Sequence, residues 1–302
     1  MITIKRCINI IITSCGNSVK IAKEMAKKLK ATYSPLTVST FPDGDIYLKY
    51  DTNLKGKTLV LVQSFQPNPE HSLSVVLFAG KNAQDLGAKK VILIAPYLAY
   101  MRQDARFNPG EAVSSKIVGE MLSEAVDKVY TFDPHIHRYK SLSDIFSIPA
   151  KYLTANWLIA DYIKKHFKDI VIVGPDRESS QWAKRIADKI GVPSTVCKKK
   201  RLTSWKVKVK IVNPVLMKGK NVVIVDDIIS TGHTIVEAAK EIKKHHPKSI
   251  SAICVHGLFV GEALKKLKRA GVSKVISTNC IEHRTNGIDV SSLLLTELKK
   301  EK

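Results

Sequence analysis

Val222-Val223-Ile224-Val225-Asp226-Asp227-Ile228-Ile229-Ser230-Thr231-Gly232-His233-Thr234 decides how this 302-residue chain is read. The unbroken apolar, β-branched run from Val222 to Val225 describes a strand covered on both faces, as in parallel sheets. Asp226 and Asp227 stand at its C-terminal edge, and Ser230, Thr231 and Gly232 make a turn before a helical pattern opening at Ile235. In open α/β sheets that edge is where ligands bind. Hydroxyls and backbone N–H groups of such a turn converge on an anion, helped by the helix N-terminus. Carboxylates beside it suit a ribose diol or a magnesium ion. Asp226, Asp227, Ser230, Thr231, Gly232, His233 and Thr234 thus describe a pentose-phosphate site.

The approach to this strand occurs twice. Lys55-Gly56-Lys57-Thr58-Leu59-Val60-Leu61-Val62 matches Lys218-Gly219-Lys220-Asn221-Val222-Val223-Ile224-Val225, and each is followed, about 25 to 30 residues on, by another apolar strand. The fold class expected is α/β, built from two related parallel-sheet halves. The first copy ends in Gln63-Ser64 where the second has Asp226-Asp227, so the chemistry is expected mainly on the second half. Strands are expected at Ile8 to Thr13, Thr58 to Gln63, Val91 to Ala95, Lys128 to Phe132, Ile170 to Val173, Asn221 to Val225, Ile250 to Val255 and Val275 to Ser277. Between them, helical periodicity covers Ser18 to Lys30, Ser72 to Leu86, Ser114 to Ala125, Ala155 to Lys165, Ser180 to Ile190, Thr234 to Lys244 and Gly261 to Ala270. The join is expected between Phe146 and Lys151, giving domains 1–147 and 148–302, with the last residues packing back on the first. Gly56-Lys57-Thr58 resembles the tail of a nucleotide P-loop, but it precedes its strand and Asp51 holds the place of the first glycine. It is a strand lead-in.

Composition narrows the class. The chain is 44% hydrophobic and 25% charged, which excludes disorder, and it holds no apolar run long enough to span a membrane. Its cysteines, Cys7, Cys15, Cys197, Cys254 and Cys280, lack CxxC spacing, so neither a zinc knuckle nor a disulfide framework is expected, and a reducing cytoplasmic setting is. A net charge of +22 points to nucleic acid, an anionic substrate or a lysine-rich solvated surface. Lys164-Lys165, Lys243-Lys244, Lys265-Lys266 and Lys299-Lys300 fall on polar helix faces, which favours the solvated surface, and no aromatic stacking pattern supports nucleic acid.

Further motifs carry their own chemistry. Arg102, Gln103, Asp104 and Arg106 lie in a polar loop beyond a strand, where guanidinium forks can clamp polyphosphate oxygens. Phe41 offers a face to an aromatic base, and Asp43 and Asp45 can accept from its amine or from the ribose. Asp176-Arg177-Glu178-Ser179-Ser180 forms a turn at a helix N-terminus suited to pyrophosphate. Lys198 to Arg201, followed by alternating Lys206-Val207-Lys208-Val209-Lys210, reads as a basic β-ribbon able to close over a polyphosphate.

Phe41 to Ile46, Tyr97 to Asp104, Phe132-Asp133-Pro134-His135, Val173 to Asp176, Lys199-Lys200-Arg201 and the run from Val222 to Thr234 occur in an order and spacing that resembles the ribose-phosphate pyrophosphokinases, the short archaeal type most of all. The resemblance runs from about Ile8 to Val290, whereas a simple phosphoribosyltransferase has only the second half. It implies two domains of type I phosphoribosyltransferase-like fold and transfer of the pyrophosphoryl group of ATP to ribose 5-phosphate. It also implies Mg2+ as cofactor and a homo-oligomer, at least a dimer, with no nucleic-acid or membrane partner. By resemblance, Lys199 and Arg201 are catalytic, the lysine's register being open among Lys198, Lys199 and Lys200. Arg102 and Gln103 bind ATP, Phe41, Asp43 and Asp45 reach the adenine of a neighbouring subunit, and His135 with Asp176 attends the magnesium. His137 has no counterpart. Asp45 stands where the family usually has Glu, His233 where it commonly has Gly, and Asn279-Cys280 where Asp or Asn is often followed by Thr.

Overall fold

The expected alternation resolves into two parallel sheets, each in its own unit. The computed structural model describes residues 9–136, 138–201 and 207–301, without the side chains of 199–201 and 207–209. The first unit threads β1 (Ile10–Ser14), α1 (Val19–Leu29), β2 (Thr32–Tyr33), β3 (Leu36–Thr40), β4 (Ile46–Tyr50), β5 (Thr58–Val62), α2 (Pro69–Asp85), β6 (Lys90–Ala95), α3 (Ser114–Ala125), β7 (Lys128–Phe132) and β8 (Ala150–Leu153). The second continues with α4 (Asn156–His166), β9 (Ile170–Gly174), α5 (Ser180–Ile190), β10 (Ser194–Arg201), β11 (Val207–Ile211), β12 (Asn221–Ile229), α6 (His233–Lys243), β13 (Ser249–Gly257), α7 (Ala263–Arg269), β14 (Val272–Thr278) and β15 (Asn286–Ile288). α8 (Ser291–Leu298) belongs to the first unit again.

The sheet orders are β2-β1-β5-β6-β7-β8 and β11-β10-β9-β12-β13-β14-β15, so β1-β5-β6-β7-β8 and β9-β12-β13-β14-β15 are the same arrangement. The repeated lead-in explains how each central strand is set. Gly56 and Gly219 both take positive φ, 71° and 70°, a conformation cheap only for glycine. Each donates its N–H across the turn, Gly56 to Gly87 O at 2.8 Å and Gly219 to His246 O at 2.9 Å. The following Lys57 and Lys220 bond back to Leu54 O and Met217 O, whose side chains are buried. In the second unit the apolar strands meet Ile235, Ala238, Ala239 and Ile242 of α6 and Ala263 and Leu267 of α7 in one core.

Several expectations are corrected. β8 pairs with β7, so the first unit extends to Leu153 rather than to 147, and 280–282 and 290 onward return to it. β12 does not stop at Val225. It continues through both aspartates to Ile229, pairing Asp226 with Cys254 and Ile229 with Gly257, so the aspartates lie inside the strand. β2, β8 and β15 are short edge strands, and Phe41 to Ile46 turns out to be the tip of an antiparallel hairpin, β3 with β4. The basic ribbon forms as expected in its backbone, Cys197 opposite Ile211 and Arg201 opposite Val207, while β10 begins parallel to β9. No helix among the described residues is long and apolar enough to cross a membrane.

Candidate active site

The Asp226 carboxylate of β12 is held in an environment that works against its charge. Asp226 is 8% exposed, and Asp227, next along the strand, is half-buried. Each accepts the backbone N–H of the residue after it, Asp226 Oδ1 from Asp227 at 3.1 Å and Asp227 Oδ1 from Ile228 at 2.8 Å. Burial, and then the negative charges of Asp227 and Asp176, push the Asp226 carboxyl well above the ordinary carboxylate range. Asp176 follows β9, the neighbour of β12, and its Oδ1 accepts from the N–H and the hydroxyl of Ser179, both at 3.1 Å. The structure therefore brings together Asp226, Asp227 and Asp176, which the sequence reading had split between a sugar site and a metal site.

Beyond Ile229 the chain turns through Ser230 and Thr231 into α6, the segment expected to take an anion. Gly232, at φ 76°, caps α6, and its carbonyl accepts from Val236 N at 2.9 Å. A Cβ there would meet Leu267 at 3.5 Å and Ala263 at 3.7 Å, so the turn lies close over α7 as well. Ser230 and Thr234 are half-buried, while Thr231 and His233 are exposed. The turn is strapped from behind: Ile229 O accepts from Leu258 and Phe259, and Ser230 O from Val260 at 3.1 Å. Phe259 itself holds φ 45°, a strained value for an aromatic residue.

The first unit has a second constellation at the same edge of its sheet. Arg102 is exposed in the loop after β6, and Gln103, half-buried beside it, accepts at Oε1 from the Ser114 hydroxyl. Arg106 is committed elsewhere, its Nε bonding Glu111 O at 2.8 Å. Asp104, expected with Arg102 and Gln103 at ATP, is buried in the same loop. Its side chain is 0% exposed, with Oδ1 2.7 Å from Arg138 Nη1. Oδ2 has no hydrogen-bond partner among the described residues. Arg138, which nothing in the sequence singled out, also lies 4.8 Å over the Phe107 ring. It ties the loop after β6 to the loop after β7, where His135 lies half-buried. Asp133, beside His135, and Tyr100, before Arg102, both have positive φ, 31° and 66°.

At the hairpin tip Phe41, Asp43 and Asp45 are all exposed, Phe41 at 51% with its ring edge-on to Tyr47 at 5.8 Å. Phe41 N–H bonds Asp45 O at 2.8 Å, which closes the tip. The side chains of Lys199, Lys200 and Arg201, and residues 137 and 206, lie outside the described residues. Where the second unit carries Asp226-Asp227, the first carries Gln63-Ser64 in a neutral network: Gln63 Nε2 donates to Ser72 Oγ at 3.1 Å, and Ser64 N to Ser18 Oγ at 2.9 Å.

Magnesium is tested against this donor set. Among the described residues no three His, Cys, Asp or Glu side chains make a self-sufficient metal cage. A buried acid raised by two neighbouring carboxylates is nonetheless what a hard cation relieves, and magnesium characteristically takes one or two carboxylates and completes its shell with water and substrate phosphates. The residues fit.

Paired carboxylates on a buried parallel strand, running into a glycine-capped anion turn, define a phosphoribosyltransferase-like α/β protein. In agreement, residues 141–293 match the family model described as phosphoribosyl transferase domain. Residues 10–125 match the N-terminal domain of ribose phosphate pyrophosphokinase. The chain is 36% identical to the ribose-phosphate pyrophosphokinase of Methanothermobacter thermautotrophicus, over 95% of this chain and 99% of that one. It is also 36% identical to that of Saccharolobus solfataricus, over 92% and 96%. The crystal structure of phosphoribosylpyrophosphate synthetase from Mycobacterium smegmatis superposes with a TM-score of 0.86 at 26% identity, covering 97% of this chain and 98% of that one. The chain belongs to the ribose-phosphate pyrophosphokinase family.

Proposed function

We propose that the chain carries its family's reaction, transfer of the pyrophosphoryl group of ATP to the anomeric hydroxyl of ribose 5-phosphate, on the residues assembled above. The observation that carries this reading is the anion turn capped by Gly232 directly beyond Asp226 and Asp227, in a chain that keeps a whole first unit. The turn from Ser230 to Thr234 holds the 5-phosphate with backbone N–H groups and hydroxyls, and the two aspartates orient the ring hydroxyls. Arg102 and the Gln103 amide bind ATP phosphates, Asp104 acting through Arg138 to hold their loop. Phe41, Asp43 and Asp45, exposed at the hairpin tip, serve the adenine of a neighbouring subunit in this reading, which calls for at least a dimer.

The anomeric oxygen attacks the β-phosphorus, and the bond from that phosphorus to the bridging α-oxygen breaks. AMP departs with that oxygen, and the hydroxyl proton passes to solvent. Such transfers need positioning and charge stabilisation more than covalent help. Lys199 and Arg201 on β10 supply positive charge to the moving group. By family resemblance His135 and Asp176 attend magnesium, which with the substrate phosphates would neutralise polyphosphate charge when bound. The buried thiols Cys15, Cys197, Cys254 and Cys280, none in a disulfide, support a reducing cytoplasmic setting.

Phosphorus NMR of protein, ATP, Mg2+ and ribose 5-phosphate tests the reading. AMP and an anomeric pyrophosphate must appear together and in equal amounts. Appearance of ADP with a ribose bisphosphate, or of product only when a nucleobase is added, would reject it.

A further inference from the structure

A groove between α6 and α7 starts at Thr231 and His233 of the turn and runs away from it to Arg269 and Ala270. It encloses about 480 Å³, within the range of small-ligand sites. Lys240 and Lys243 line it from α6, Lys266 and Arg269 from α7, and Val236 and Ala270 give it apolar surface. Thr231 and His233 stand at one end, and the rise along the helix from His233 to Lys243, at 1.5 Å per residue, makes the groove about 15 Å long.

How these helices place their acids distinguishes the groove from an ordinary lysine-rich face. Glu237, Glu241 and Glu262 pair with Lys240, Lys244 and Lys265 at 2.8, 2.5 and 2.7 Å, and none of these acids lines the groove. Lys243, Lys266 and Arg269 have no carboxylate partner among the described residues, though all three face the same cavity. The Lys243 stem passes over Gly271, its Cδ lying 3.8 Å from the position a Cβ there would take. Like charges gathered in a concave surface repel one another, and an anion relieves that repulsion. A chain of phosphates presents charge at several points along a line, as the groove does in reverse.

We propose that the α6–α7 groove is a second anion site that takes a short linear chain of phosphates, either inorganic or the tail of a nucleotide. Its cations touch no substrate in the transferase scheme, and it shares only Thr231 and His233 with the turn. The test uses the whole protein with its substrate sites filled by Mg2+, ribose 5-phosphate and a non-hydrolysable ATP analogue, titrated calorimetrically with tripolyphosphate or CTP. One equivalent of tripolyphosphate should bind, and Lys243→Glu/Arg269→Glu should weaken it about tenfold or more. Lys164→Glu/Lys165→Glu on α4, an equal change of net charge, should stay within about twofold of wild type. Equal affinity for CTP assigns the phosphate chain alone, and tighter CTP binding assigns a nucleotide; both support the site. It is overturned if tripolyphosphate does not bind, if both double variants lose affinity equally, or if a 20-nucleotide RNA displaces it through the same residues. Unchanged turnover and melting temperature of the groove variant separate loss of the site from loss of the fold.

Discussion

Asp226 illustrates at single-residue scale how a site stores its cost in the empty protein. Its carboxyl is raised first by burial and then by Asp227 and Asp176. A raised folded-state pKa contributes stability that is complete below the unfolded value, near 4, and is lost as pH rises through the folded one. Asp226→Asn keeps the shape and removes the titration. The ligand-free variant should therefore melt above wild type at pH 8, by more than at pH 5, while its turnover collapses. Scanning calorimetry at the two pH values checks this, and a lower melting temperature for the variant at pH 8 would contradict it. Asp227, half-buried and beside the turn, is expected to act on the sugar. Asp227→Ala should raise the Kd for ribose 5-phosphate by about tenfold or more, the worth of a charge-assisted hydrogen bond, and hardly move that for ATP. Equilibrium binding of each substrate decides it.

At the scale of elements, the β10–β11 ribbon carries the charges expected to act late in the reaction. If Lys199 and Arg201 meet charge that develops only as the group moves, Lys199→Ala or Arg201→Ala should cut kcat by roughly a hundredfold or more with ATP affinity nearly intact. Lys206→Ala is the silent control, and steady-state kinetics at saturating Mg2+ separates the three. The ribbon was legible because its lysines alternate with valines, and α3 and α5 were legible to the residue because Ser114 and Ser180 open clean helical periods. β12 was read short because charge normally ends a buried strand, yet its backbone ladder runs on past both aspartates to Gly257. The strands of the hairpin are absent from the sequence expectation because Leu36 to Tyr50 is only half-buried and leaves no strong apolar pattern. Arg138 and Asp104, 34 residues apart in the chain, meet only through tertiary structure, so no local pattern announces their ion pair.

At the scale of the molecule, Glu301 fastens the returning end of the chain. Burial would raise its carboxyl, but bonds from Lys128, Lys90 and Tyr130 outweigh this and draw it down to about 2. A depressed pKa gives stability that is present above the unfolded value, near 4.3, and lost as pH falls through the folded one. Melting temperature should therefore fall between about pH 4.5 and 2, and Glu301→Gln should flatten that part of the curve while costing about 2 kcal/mol at pH 7. Acid titrations followed by circular dichroism test both. The proposed service of Phe41, Asp43 and Asp45 to a neighbour predicts a dimer or larger assembly in analytical ultracentrifugation, and a fully active monomer would refute it. Because 280–282 and 290 onward rejoin the first unit, with Lys28 bonded to Ser291 at 3.1 Å and Lys151 to Glu297 at 2.9 Å, the second unit is mechanically a side loop. Stretched between handles on β1 and α8, the molecule would bear load through the first unit alone, and the second unit would feel no tension until that clasp had torn.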